Sequence, residues 1–292
     1  MACEAPMTAY RATHRGGPVT FKRPQQHTYE ELQLPCGTCF LCREEQARQQ
    51  AVRIIHEAQM HERSAFLNLT YEDRHLPANN SLNYDHLVDF WKRVRKHLWK
   101  KQRIRLRYYA VGEYGDISMR PHYHAALFGH DFTDDQIEVR PGPNRLWTSP
   151  LLRQLWGWGN VAVGTLNFQT ARYTASYMMK KLRAKQKYVR IDEDTGELIE
   201  LAQPRAFMSR NLGKSWWEKY HHQVIAHDHV IINGRRQKPP KAYDRWLKAR
   251  SEIAAEMIKD QRLRHAKEQT EEQTRARARN ARAHAKSKSK ML

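Results

Sequence analysis

Two histidines separated by one residue, His122 and His124, lie in the run Arg120-Pro121-His122-Tyr123-His124-Ala125-Ala126-Leu127-Phe128. The apolar composition of that run predicts a β-strand, and side chains at i and i+2 of a strand share a face. Both imidazoles can then reach one metal ion, while Tyr123 points to the opposite, packed side. Glu113 stands nine residues upstream of His122, at the end of another predicted strand. If the two strands pair as neighbours, its carboxylate oxygen joins the two nitrogens. Such a mixed donor set, with positions left open, suits a catalytic Mg²⁺ or Mn²⁺, or another divalent ion. The chain has 16 histidines, so such a pair arises about once by chance. His227-Asp228-His229 is a second instance and is taken as the decoy. Histidines merely satisfied within a sheet give the same pattern.

A second reactive group lies further along. The segment Phe168–Arg183, FQTARYTASYMMKKLR, reads as a helix. At about 100° per residue, Ala171, Ala175, Met178 and Leu182 form one apolar stripe. Tyr173, Tyr177, Lys180 and Lys181 fall on the opposite arc. Two phenols one turn apart, beside two ammonium groups, form a surface of nucleophiles and cations. A free phenol has a pKa of about 10 and needs a base, a cation or a polarised target to attack at neutral pH. Lys180 and Lys181 are placed to hold a phosphate or to stabilise charge on an attacking or leaving oxygen. An ordinary amphipathic helix with tyrosines on its polar face reads the same way.

All four cysteines of the chain, Cys3, Cys36, Cys39 and Cys42, fall in its first 42 residues. Clustering of this kind, with Cys-x₂-Cys spacing repeated, points to metal binding rather than a disulfide framework. A four-thiolate structural zinc site, plain reduced thiols and an iron–sulfur cluster are all compatible with the spacing.

The elements that must position these groups follow from periodicity. Residues 1–35 read as irregular, punctuated by Pro6, Gly16, Gly17, Pro18, Pro24 and Pro35. Arg43–Glu62 is expected to be a helix through Ala47, Ala51, Ile54, Ile55 and Ala58. Ala65–Tyr71 alternates as a strand. Tyr84–Lys100 is an amphipathic helix with Leu87, Trp91, Val94 and Leu98 inward. Arg105–Glu113 and His122–Phe128 are strands around a Gly115–Pro121 connection. Asp131–Trp158 is loop-rich with a short helix near Leu151–Leu155, and Asn160–Leu166 is a further strand. The last forty residues are polar, charged and weakly helical, a composition compatible with disorder when free. Strands separated by helices, with one expected hairpin, predict an α+β sheet domain. The expected organisation is a cysteine-rich segment (1–43), a central domain (44–250) and a basic tail (251–292).

Composition narrows the partners. Of 292 residues, 51 are Lys or Arg and 31 are Asp or Glu, a formal charge of +20. Residues Gln261–Lys290 contribute +7 of this, so the body still carries +13. A surplus of that size favours a polyanionic partner, because each neutralised phosphate releases counterions. No run approaches the roughly 18 consecutive apolar residues of a membrane span. The start MACEAPMTAYR lacks the basic-then-apolar order of a signal peptide, so the chain is expected to stay where it is made.

Taken in order, these motifs resemble the HUH endonuclease superfamily, and more narrowly the replication initiators of microviruses of the gokushovirus-like branch. PCGTCFLCR at Pro35–Arg43 is similar to the family's N-terminal cysteine signature, and FLNLTY at Phe66–Tyr71 to its first replication motif. GEYGDISMRPHYHAALFG at Gly112–Gly129 resembles its metal motif, and RYTASYMMKKL at Arg172–Leu182 its two-tyrosine motif. MSRNLGKSWW at Met208–Trp217 and KPPKAYDRWL at Lys238–Leu247 are similar to later blocks. The family's glycine-rich version of the first of these is here SRNLGKSWW, which also reads simply as a turn before a helix. The resemblance covers roughly residues 1–250. It implies an HUH-type nickase domain with a central antiparallel sheet flanked by helices. His122, His124 and Glu113 would hold a divalent ion acting as Lewis acid. One of Tyr173 and Tyr177 would attack the DNA, leaving a 5′-phosphotyrosine and a free 3′-OH, and the other would act after one round. Implied partners are a single-stranded or supercoiled DNA origin and the host helicase and polymerase, in the cytoplasm of a bacterial host. Tyr108 and Tyr109 are candidate stacking surfaces for unpaired bases.

Overall fold

Short polar strands open the chain. In the computed structural model, β1 (Met7–Ala12), β2 (Val19–Thr20) and β3 (Tyr29–Leu34) form an antiparallel sheet of order β2-β1-β3. The structure describes residues 3–12, 18–25, 29–115, 118–181, 187–192, 195–265 and 270–289, without the side chains at 101–102, 177–181 and 284–289. The sheet corrects the irregular reading of residues 1–35. Its strands carry little apolar alternation and are held by cross-strand contacts, which periodicity does not reveal. Tyr10 meets Tyr29 edge to face at 5.2 Å, and the Gln33 side-chain amide donates to the Thr8 hydroxyl at 3.1 Å. Helix α1 (Phe40–Ala58) begins before the expected Arg43, so Cys42 lies within its first turn.

The chain divides into two compact units, Met1–Gln46 with His265–Leu292, and Ala47–Arg264. In the larger unit the elements run β4 (Ser64–Thr70), α2 (Tyr84–Gln102), β5 (Arg107–Tyr114), β6 (Pro121–Phe128), β7 (Ile137–Arg140), β8 (Leu146–Thr148), α3 (Pro150–Trp156), β9 (Val161–Thr165) and α4 (Phe168–Lys181). There follow β10 (Val189–Ile191), β11 (Leu198–Glu200), β12 (Ala206–Met208), α5 (Lys214–His227), β13 (Val230–Ile232), β14 (Arg235–Gln237), α6 (Lys241–Arg250) and α7 (Glu252–Arg264). Seven strands form one antiparallel sheet of order β12-β5-β6-β4-β9-β8-β7. The α+β architecture with a central antiparallel sheet is therefore present. Strands β7 and β8, within the segment expected to be loop-rich, add an exposed edge whose residues bury too little to signal a strand.

Alternation along the strands splits the core in two. Ala65, Leu67 and Leu69 of β4 face the same way as Tyr123, Ala125 and Leu127 of β6. On that side α2 contributes Leu87, Phe90, Trp91, Val94 and Leu98, and α3 contributes Leu152, Leu155 and Trp156. Each such side chain, fully buried, stabilises the fold by about 1.5–3 kcal/mol. The ends of these helices are written locally. Asn83 caps α2 by accepting from the Asp85 and His86 amides, and Ser149 caps α3, with Pro150 as its first residue. Gly157 ends α3 at φ +75°, a left-handed conformation that glycine takes without strain.

The other face carries Tyr109, Val111, Ala126 and Phe128, packed with Ala51 and Ile54 of α1, Ala171 of α4 and Leu212. A third cluster surrounds Trp216 and Trp217 of α5, with Val230, Ile232, Tyr243, Leu247 and Ile258. Helix α7 thus contributes to this unit, and its Arg262 pairs with both Asp228 and Asp244. The last helix, α8 (Glu271–Ser289), belongs to the smaller unit with the cysteines. None of the described helices is long and apolar enough to cross a membrane.

Candidate metal centre, tyrosine helix and cysteine cluster

The pairing of β5 with β6 sets Glu113 directly opposite His122, and that of β4 with β6 sets Asn68 opposite His124. With a two-residue period, Glu113, His122 and His124 share the face covered by α1 and α4. Glu113 Oε1 lies 2.7 Å from His122 Nε2 and 3.4 Å from His124 Nε2. Ligands at right angles about an ion with bonds of about 2.1 Å sit about 3.0 Å apart, so the three fit one face of an octahedron. Glu113 and His124 are buried, whereas His122 retains 17% side-chain exposure, which leaves an approach from solvent.

The surroundings fit a cation. Glu113 Oε2 is buried with no hydrogen-bond partner, an acceptor for which a positive charge would compensate. Burial raises the Glu113 carboxyl, but hydrogen bonds and charge from His122 and His124 outweigh it and hold it below the ordinary value. Burial likewise holds the His124 imidazole down, in the neutral form a metal requires. His122 Nδ1 lies 3.1 Å from the Arg120 carbonyl, so its proton is donated there and Nε2 is presented to the site.

Helix α4 starts on a reciprocal cap: Asn167 Oδ1 accepts from the Gln169 and Thr170 amides, and Thr170 Oγ1 accepts from the Asn167 amide. Ala171 and Ala175 are buried as expected, joined by Thr174. Tyr173 departs from the expected solvent-facing arc. It is half-buried, its ring edge-on to His124 at 5.2 Å and to Phe66 at 6.3 Å. Two opposite arcs of this helix are packed, which a helical wheel that assumes one core face misses. The backbones of Tyr177, Lys180 and Lys181 continue α4, but their side chains lie outside the described residues, as does Leu182.

The suspected decoy stays apart. His227 ends α5 and His229 follows it, with Asp228 committed to Arg262. Tyr108 and Tyr109 are packed, Tyr108 stacked on Trp91 at 4.1 Å and Tyr109 fully buried, so neither offers a free ring face.

The four cysteine sulfurs, in the smaller unit, lie within 4.8 Å of one another, and Cys3 Sγ is 3.8 Å from Cys39 Sγ. Tetrahedral zinc with bonds of about 2.3 Å sets its sulfurs about 3.8 Å apart. Backbone amides of Cys36, Cys39 and Glu4 donate to Cys3, Cys36 and Cys39 sulfurs at 3.3–3.4 Å. Burial pushes the Cys36 thiol up, but the Cys39 and Thr38 amides outweigh it and hold it at about 6. The residues therefore fit a thiolate metal site.

Two features escaped the sequence. Asn68 Oδ1, on the metal face beside His124, is buried without a partner, and only the β4–β6 register identifies it. Glu57 of α1 is fully buried and accepts from Arg107 at 2.5 Å and from the Gly213 amide at 2.6 Å. Arg107 also donates to the Arg210 carbonyl at 2.8 Å. The pair thereby fixes the turn before α5, the structure adopted by SRNLGKSWW.

The family described as replication-associated protein ORF2 matches residues 64–182, the stretch holding the metal centre and α4. Replication-associated protein VP4 of Bdellovibrio phage phiMH2K is 33% identical over 222 residues, covering 74% of this chain and 67% of that protein. Replication-associated protein ORF2 of Spiroplasma virus 4 is 28% identical over 291 residues, covering 91% and 87%. Replication-associated protein ORF4 of Chlamydia phage 1 is 30% identical, covering 74% of this chain and 53% of its own length. No solved structure matches the chain. With the resemblance running through both the metal strands and the tyrosine helix, the chain belongs to the replication initiators of the microviruses.

Proposed function

We propose that the chain is an HUH-type nickase that opens and rejoins the viral DNA strand at the replication origin. The observation that carries this reading is the convergence of Glu113, His122 and His124 on one locus beside the ring of Tyr173. A bound Mg²⁺ or Mn²⁺ would act there as a Lewis acid on the scissile phosphate. Glu113 and the two imidazoles hold that charge, and the wall formed by Phe66 and Tyr173 keeps the buried side of the site dry. The Tyr173 phenol, on loss of its proton, forms a new bond to phosphorus while the bond to the 3′ oxygen breaks. A 5′-phosphotyrosine and a free 3′-OH result, the latter a primer for host polymerase after a host helicase opens the duplex. Tyr177, one turn along α4, takes the second transfer, and the freed 3′-OH then attacks the phosphotyrosine to close the circle. Lys180 and Lys181 neutralise the phosphate during these steps. The reaction runs in the cytoplasm of the bacterial host. The four cysteines hold a structural Zn²⁺, for which the 3.8 Å sulfur separation speaks; an iron–sulfur cluster would set its cysteine sulfurs wider.

The test is to incubate the protein with single-stranded viral DNA and Mn²⁺ and to look for an SDS-resistant protein–DNA adduct. Adduct is expected with the wild type, lost in His122→Ala plus His124→Ala, and strongly reduced in Tyr173→Phe plus Tyr177→Phe. An undiminished adduct in the double Phe variant removes the nucleophile assignment, and an adduct formed equally well in EDTA removes the metal.

A further inference from the structure

Helix α8 packs as part of the unit that carries the cysteines, and the contacts that hold it lie beside the sulfur ligands. Arg282 of α8 pairs with the Glu4 carboxylate and places its guanidinium 5.1 Å from the centre of the Phe40 ring. Glu4 follows Cys3, and its amide donates to Cys39 Sγ at 3.4 Å. Phe40 lies between Cys39 and Cys42. The other Glu4 oxygen accepts from the Leu41 amide at 3.4 Å, so the docking carboxylate is itself oriented by the cysteine loop. Ala278 is buried, with Thr274 and Ala281 half-buried beside it. One small-residue arc of α8 thus faces protein.

A second arc carries charge. At about 100° per residue, Arg275, Arg279, Arg282 and Lys286 fall within roughly 60° of one another, about a quarter-turn from the small-residue arc. From Arg275 to Ser289 the helix contains six Lys or Arg and no acidic residue. The described arginines of this arc are exposed. The stripe extends about 16 Å along the axis, a length matching about five successive phosphates of one strand at roughly 3.4 Å each. Its chemistry is that of a track for a phosphate backbone with no means of reading bases.

We propose that the cysteine centre and α8 form a metal-dependent clamp on the DNA backbone. The metal fixes the Cys3–Glu4 and Cys39–Leu41 segments, these dock α8 through Arg282, and α8 offers its basic arc to DNA. The inference rests on reading the four cysteines as a metal site, and it is independent of the nicking chemistry.

The experiment uses the full chain in three forms: wild type, Cys39→Ser, and Arg275→Ala/Arg279→Ala/Lys286→Ala. Elemental analysis reads metal per chain, hydrogen exchange reads the amides of 271–289, and anisotropy of a labelled single-stranded oligonucleotide reads affinity against salt. The wild type should carry one zinc and a protected α8. Cys39→Ser should lose both, and its plot of log affinity against log salt should be flatter by about two, from about 0.7 for each of three lost phosphate contacts. The triple variant should show the same flattening while keeping zinc and protection. Glu4→Gln, which leaves every sulfur in place, should keep zinc and lose protection, separating undocking from general unfolding. No metal in the wild type sinks the zinc reading. Loss of zinc with α8 still protected overturns the coupling, and an unchanged salt slope in the triple variant overturns the DNA-facing role of α8. Failure of adduct formation would count against the nickase reading alone.

Discussion

Replacing Glu57 by Gln tests whether one buried carboxylate organises the turn that precedes α5. The side chain is 1% exposed and accepts from Arg107 Nε at 2.5 Å, the Gly213 amide at 2.6 Å and His61 Nε2 at 3.0 Å. Breaking a buried ion pair by removing one partner costs about 3–5 kcal/mol. Two features reduce that. Gln keeps the shape and one acceptor oxygen, and the Arg107 side chain is 30% exposed, so water partly solvates the guanidinium left behind. The expected loss is about 2–3 kcal/mol, which for a unit of this size lowers the melting temperature by roughly 5–10 °C. The pH dependence carries an independent sign. Burial raises the Glu57 carboxyl, but its bonds to His61, the Gly213 amide and Arg107 outweigh it and hold it below the ordinary value. Above the unfolded carboxyl pKa of about 4.3 the stabilisation is fully present. As pH falls below that, the unfolded chain takes up a proton that the folded chain refuses, and stability drops until the folded pKa is crossed. Thermal melts from pH 7 to pH 3.5 should show a shallower acid slope in Glu57→Gln than in the wild type. A variant that melts within a degree of wild type at pH 7, with the same acid slope, would refute this account of the turn.

Other outcomes follow from the same geometry. His56 is fully buried, stacked on Trp216 and bonded to the Tyr243 hydroxyl at 2.6 Å, and burial lowers its pKa to about 3. Its neutral form is matched above the unfolded value of about 6.5, so denaturant titrations should find it costing about 2 kcal/mol at pH 5, a loss absent from His56→Gln. A Cβ on Gly159 would stand 2.4 Å from the Glu72 nitrogen and 2.5 Å from the Thr70 oxygen, both backbone atoms. Gly159→Ala should therefore lose about 3 kcal/mol or more, seen as a lowered melting temperature, because β4 cannot yield without breaking its pairing. Saturating Mn²⁺, at about 100 times its dissociation constant, should raise wild-type stability by about 2.7 kcal/mol. Glu113→Gln should show less than half of that shift in the same thermal melts, and an equal shift would place the ion elsewhere.

The metal centre was legible because it depends on rules local to strands. A two-residue period put His122 and His124 on one face, and a short connection made Glu113 their neighbour. The β5–β6 register then set Glu113 opposite His122, which no sequence spacing specifies to within one residue, and a slip of one would have turned the carboxylate to the wrong face. The same register introduced Asn68, which lies more than fifty residues from His124 in the chain and has nothing unusual about it locally. Information of that kind is non-local, and periodicity does not contain it.

Tyr173 shows a different limit. A helical wheel assumes one buried arc, and on that assumption a tyrosine opposite Ala171 and Ala175 must face water. In the fold α4 is packed on both arcs, so the residue that looked outward meets His124. The inference that a tyrosine off the apolar stripe has a chemical role used the wrong picture of its surroundings, since Tyr173 is shielded on one side rather than displayed. A half-buried phenol has fewer rotamers to lose when it engages a phosphate, and the aromatic wall of Phe66 and His124 limits where its oxygen can go. Preorganisation of that sort is what a transesterification at a single backbone bond demands, whereas a fully exposed tyrosine would have to be immobilised by the DNA itself.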